Sequence, residues 1–137
     1  VATLANAMDV GAPSNFERLR WLYAGDDAAL RAAYTAIAVD DETIRATIRS
    51  RWQQHGEVFC PHTATAVHVL ETLRADGVDG DWAVAATAHP AKFESVVEPL
   101  VGHAVEVPPA LAELLARPAQ ATPVPPEYAA LQAHLLD

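Results

Sequence analysis

Val84-Ala85-Ala86-Thr87-Ala88-His89-Pro90-Ala91-Lys92-Phe93 is the stretch on which the fold turns: an apolar run enters a polar turn, and the turn opens a helix. The run itself, Trp82 to Ala86, is continuous rather than alternating and is bounded by turn residues, the pattern of a buried parallel strand. Junctions of this kind are where α/β enzymes place their chemistry. Downstream, Pro90 suits the first turn of a helix to about Leu100. His103 to Val107 is expected as a last short strand, and Pro108-Pro109 opens a helix through about Ala116. A Pro-rich linker, Pro118 to Pro126, leads to a final helix ending near Leu136.

Upstream, Asp76-Gly77-Val78-Asp79-Gly80 is a turn, and Ala66, Val67, Val69, Leu70 and Leu73 belong to a helix that starts at His62-Thr63. Val58-Phe59 is a short extended piece before Cys60-Pro61. Asp40 or Asp41 caps a helix with Ile44, Ile48 and Trp52 on one face, which Gly56 ends. Asp26 or Asp27 caps another through Tyr34. Ser14 and Glu17 form an S-x-x-E capping box for a helix carrying Phe16, Leu19, Leu22 and Tyr23, stopped by Gly25. The expected fold class is helix-rich α/β with a small, mostly parallel sheet, residues 1–137 forming a single domain.

With 137 residues, 51% of them hydrophobic, the chain is long and apolar enough to bury a real core. No apolar run is long enough to span a bilayer, and the amino terminus lacks the order of a secretion signal, so a soluble, cytoplasmic protein is expected. Cys60 stands alone and forms no internal disulfide. The net charge is −9 and the cations are scattered, which argues against nucleic acid as a partner.

Three polar helix entrances are the candidate sites. At the first, Ser14, Asn15 and Arg18 offer hydroxyl, amide and guanidinium donors beside a helix start, a set suited to an anion, although capping and surface pairing explain the same residues. At the second, His62 and Thr63 present an imidazole and a hydroxyl, or simply a cap. At the third, Thr87 ends the strand with a hydroxyl facing a crevice, and His89 follows it. Cys60-Pro61-His62 with His55, His68 and His89 fits no structural zinc spacing, so no metal site is expected. Cys60 and His62 are too close in sequence to make a nucleophile pair.

Read in order, Ala7-Met8-Asp9-Val10 with Pro13 to Leu19, then Pro61-His62-Thr63-Ala64, then Ala86 to Phe93, strongly resembles the carboxyl-terminal third of the threonine synthase family. The resemblance is weakest beyond about Leu100. It departs from the family at Cys60, where an acidic residue is usual, and at Ala66, where a glycine is usual.

The resemblance implies a pyridoxal-phosphate enzyme of fold type II, tryptophan synthase β-like. It implies a lyase that converts O-phospho-L-homoserine and water to L-threonine and phosphate, the last step of threonine biosynthesis. Thr87 then matches the hydroxyl residue that faces the cofactor's pyridine nitrogen; Ser14, Asn15 and Arg18 are candidates for the substrate phosphate; His62, Thr63 and His89 are candidates for the active-site wall. The family's aldimine lysine lies in a different motif, and Lys92 is the single lysine here. The chain is therefore expected to be a carboxyl-terminal fragment, inactive alone, whose partner is the missing amino-terminal part. The alternatives are a dehydratase or β-synthase of the same cofactor class, or a non-catalytic acidic interaction or regulatory module.

Overall fold

The computed structural model describes residues 2–136 and divides into two compact units, Val1–Glu106 and Val107–Asp137. The first unit contains a 3-10 turn at Asn6–Met8, helices α1 (Phe16–Leu22), α2 (Asp27–Ala33), α3 (Asp41–His55) and α4 (Pro61–Ala75), a 3-10 turn at Pro90–Phe93, and α5 (Glu94–Val101). The second contains α6 (Pro109–Leu115) and α7 (Tyr128–Leu136). No helix among the described residues is long and apolar enough to cross a membrane.

The core of the first unit is α3 packed on α4, with α5 against α3. Ile44 and Ile48, one helical turn apart, are wholly buried from α3, as are Ala64 of α4 and Val97 of α5. Local chemistry sets the limits of α3. The Asp40 carboxylate accepts from Thr43 N–H at 2.8 Å, and Asp41 and Glu42 place negative charge in the first turn. At the other end Gly56 adopts φ +68°, and its N–H returns to Trp52 O at 2.9 Å, the bond of an αL cap. Asp26 caps α2 through Ala28 N–H and Ala29 N–H. Arg51 binds both Glu57 and Glu71, so one guanidinium joins α3, the following loop and α4.

The helices expected from the sequence are present, but the small parallel sheet is not. Among the described residues there is no strand. Trp82–Ala86, Val58-Phe59 and His103–Val107 make no ladder, and Trp82 is 45% exposed rather than buried. A strand exists only when a second strand accepts and donates its backbone bonds, and no described segment does so for Trp82–Ala86. This run lies along α4, where Trp82–Ala85 join Thr35, Ile37, Ala66, Val69, Leu70 and Leu73 around an apolar cavity of about 330 Å³. Helix α4 passes through Ala66 without a break, so the usual glycine is not needed for the helix itself.

The capping box at Ser14 is also absent. Asn15 is the residue that precedes α1; its backbone is already helical at φ −69°, ψ −13°, and no side chain caps the end. The N–H groups of Phe16, Glu17 and Arg18 bond the carbonyls of Pro13, Ser14 and Asn15 instead. A tight turn has taken the donors that the Ser14 hydroxyl would have accepted.

Candidate functional site

The head of α4 is where two of the candidate residues, Thr63 and His89, meet. Pro61 occupies the first turn, where its missing N–H costs nothing, and Cys60 acts as the cap: Thr63 N–H donates to Cys60 Sγ at 3.5 Å, and the Thr63 hydroxyl lies 3.3 Å from the same sulfur. Cys60, Thr63, Ala88, His89 and Pro90 line an open groove of about 420 Å³, together with Val58, Phe59 and Ala86. His89 is exposed, and its Nδ1 accepts from Ala91 N–H at 3.2 Å, so the ring caps the Pro90–Phe93 turn and Nε2 carries the proton of the neutral imidazole. The structure thus brings Thr63 and His89 to one groove.

Thr87 sits between two of the groove's lining residues, Ala86 and Ala88. It is exposed, and its hydroxyl bonds no other described residue. Lys92 is exposed as well, in the last position but one of the 3-10 turn.

His62, which precedes the groove-lining Thr63, does not line the groove and is only 4% exposed. Its Nε2 accepts from Ala7 N–H at 3.1 Å, and its ring centre is 5.0 Å from that of Phe93. Its Nδ1 is buried with no partner among the described residues. The amino-terminal segment is held at two further points: Leu4 N–H donates to Asp41 Oδ1, and Asp9 accepts from both the backbone and the hydroxyl of Thr3 at 2.6 and 2.8 Å. Those Thr3 bonds hold the Asp9 carboxyl below the usual carboxylate range, as the Thr43 N–H does for Asp40.

Ser14, Asn15 and Arg18 stand apart from this cluster. All three are exposed at the entrance to α1, a helix of seven residues, and none lines the groove. The roles of Cys60 as cap and of Ala7 and Asp9 as anchors of the amino-terminal turn were not read from the sequence. Cys60 carried one signal, its place directly before a proline that opens a helix; Ala7 acts through its backbone N–H and carried none. Among the described residues no three metal-ligating side chains come together.

The family model "Threonine synthase, C-terminal" matches residues 63–135. The chain belongs to that family. It is 37% identical to the threonine synthase of Escherichia coli K12 over 131 residues, covering 96% of this chain and 30% of that protein. The crystal structure of the E. coli threonine synthase superposes with a TM-score of 0.76 at 34% identity, over 99% of this chain and 31% of that one. A pyridoxal-phosphate-bound threonine synthase from Brucella melitensis gives 0.67 at 27% identity, over 98% and 34%. The chain spans about a third of the length of these threonine synthases. Thr63, Thr87 and His89 fall inside the family match; Ser14, Asn15, Arg18 and His62 precede it.

Proposed function

We propose that this chain is the carboxyl-terminal part of a pyridoxal-phosphate-dependent threonine synthase, which converts O-phospho-L-homoserine and water to L-threonine and phosphate in the cytoplasm. The observation that carries the reading is the Trp82–Thr87 segment: an apolar run without backbone partners among the described residues, ending in an exposed hydroxyl that bonds none of them. An unpaired run of this kind seeks a ladder, and the preceding part of the same enzyme is its partner in this reading.

The donor set fits one side of a cofactor site. Bound pyridoxal phosphate supplies an electron sink for carbanion chemistry. Thr87 would offer the ring nitrogen of a bound cofactor a neutral hydroxyl rather than a carboxylate. Thr63 and His89 form the wall of the neighbouring groove, with His62 next to Thr63 in the chain. Ser14, Asn15 and Arg18 are free to meet the substrate phosphate from the exposed entrance of α1. In this reading the cofactor-bearing lysine comes from the preceding part, and Lys92, the single lysine of this chain, is an exposed side chain of the Pro90–Phe93 turn. The 137-residue chain alone is inactive.

The test is phosphate release from O-phospho-L-homoserine by the full-length protein with added pyridoxal phosphate. Equal formation of threonine supports the reading. Ammonia release from serine or threonine would move it to a dehydratase, and no turnover would leave a non-catalytic module. In the active protein, Thr87→Ala should lower turnover while the cofactor stays attached, which its absorbance reports; unchanged turnover removes Thr87 from the mechanism.

A further inference from the structure

We propose that His62 is a positioning residue: its imidazole, held in the Nδ1-protonated form, clamps the Asn6–Met8 turn to the head of α4 and sets both against Phe93. This goes beyond a place in the active-site wall, and only its consequence for turnover rests on the proposed reaction.

Three observations carry it. First, Nε2 accepts from Ala7 N–H, so it must hold the lone pair and the ring proton must sit on Nδ1. Second, Nδ1 is buried without a partner among the described residues, so within them the tautomer is fixed by the Ala7 bond alone. Third, the ring spans separate parts of the chain: Ala7 lies fifty-five positions before His62, and Phe93 closes the turn that follows Thr87. The stretches around Ala7, His62 and Phe93 are those that carry the family resemblance, and one buried side chain touches all of them. The turn it holds is continuous with Asp9, whose carboxylate bonds Thr3, so the amino-terminal loop closes on itself beside the clamp.

Two substitutions separate clamp from filler. In His62→Gln the side-chain oxygen reaches the place of Nε2 and still accepts from Ala7, whereas in His62→Asn the shorter amide ends at the place of Nδ1 and the acceptor is lost. Amide hydrogen exchange is followed in the full-length protein over a peptide containing Asn6–Asp9, with a peptide inside α4 as the control for folding. The expected result is that His62→Asn speeds exchange in the first peptide about fivefold, as loss of one hydrogen bond predicts, and that His62→Gln recovers most of it. Equal exchange in both variants, whether fast or slow, overturns the clamp.

Selective ¹⁵N-histidine labelling of the unsubstituted protein gives a second readout that needs no variant to fold: His62 should show a protonated Nδ1 and an unprotonated Nε2. The opposite tautomer overturns the proposal. The consequence for the reaction is a fall in kcat/KM for O-phospho-L-homoserine in His62→Asn, recovered in part by His62→Gln. If the protein proves to have a different activity, the exchange and tautomer results still decide the clamp.

Discussion

The entrances of α1 and α4 look alike in sequence, small polar residues next to a proline, yet they end in opposite states. At α4, Pro61, His62, Thr63 and Ala64 are all buried, a thiol caps the helix, and an imidazole reaches back to the amino-terminal turn. At α1, every residue from Gly11 to Arg18 is exposed and no side chain caps the end. The difference lies in what stands behind each entrance. Helix α4 continues for 15 residues against α3, so ordering its first turn is supported by the core, whereas α1 runs for seven and leaves Trp21 83% exposed. A polar cluster at a helix start becomes a structured site when tertiary packing holds the helix, not when the motif is present.

The strongest way to break this comparison is to weaken the packing behind α4. Ile48→Ala removes wholly buried atoms from the α3 core and should cost about 2–5 kcal/mol in chemical denaturation. Trp21→Ala, a larger truncation on the exposed face of α1, should change stability by less than about 0.5 kcal/mol in the same 137-residue chain. If Trp21→Ala costs as much as Ile48→Ala, the two regions are equally supported and the explanation fails.

Next in size is the cap itself. Cys60→Ala removes the sulfur that accepts from Thr63 N–H and should cost about 1 kcal/mol, while Cys60→Ser, which keeps an acceptor at that place, should recover part of it. A Cys60→Ala chain as stable as the parent would mean that the thiol only fills space.

Acid sharpens the comparison from another side. The carboxyls of Asp9 and Asp40 are held below the usual range by bonds from Thr3 and Thr43 that only the charged form fully accepts. A carboxyl depressed in the folded state contributes stability above its unfolded pKa and loses it as pH falls through the folded one. The melting temperature should therefore drop on acidification below the ordinary carboxylate range. Asp9→Asn should flatten that drop, and an unchanged slope would show that the Thr3 bonds do not tie the amino-terminal loop.

What the sequence revealed divides along the same line. Caps and stops act within a few residues, so Asp26, Asp40 and Gly56 could be read where the structure has them. The Ile44 and Ile48 face was legible because helical spacing is itself local. The strand expected at Trp82–Ala86 is not formed among the described residues, because its pattern describes a run ready for a ladder while the ladder depends on a distant segment that the described residues do not supply. The groove at Cys60, Thr63 and His89 was half legible: each residue type was visible, but their meeting required α4 and the Thr87 turn to come together. The Ala7 bond to His62 was invisible, since a backbone donor leaves no mark in sequence.

The smallest expected effect is the most informative about motifs. Ser14 and Glu17 satisfy the S-x-x-E pattern, and a working capping box would make Ser14→Ala cost about 1 kcal/mol. Here the carbonyls of Pro13, Ser14 and Asn15 already accept from Phe16, Glu17 and Arg18, so the hydroxyl has no donor left to serve. Ser14→Ala should accordingly leave stability within about 0.5 kcal/mol of the parent chain. A larger loss would show that the hydroxyl competes successfully with those carbonyls in solution. In that case the two entrances would differ in burial alone, and the Ser14, Asn15 and Arg18 cluster would be as firmly ordered as the one around His62.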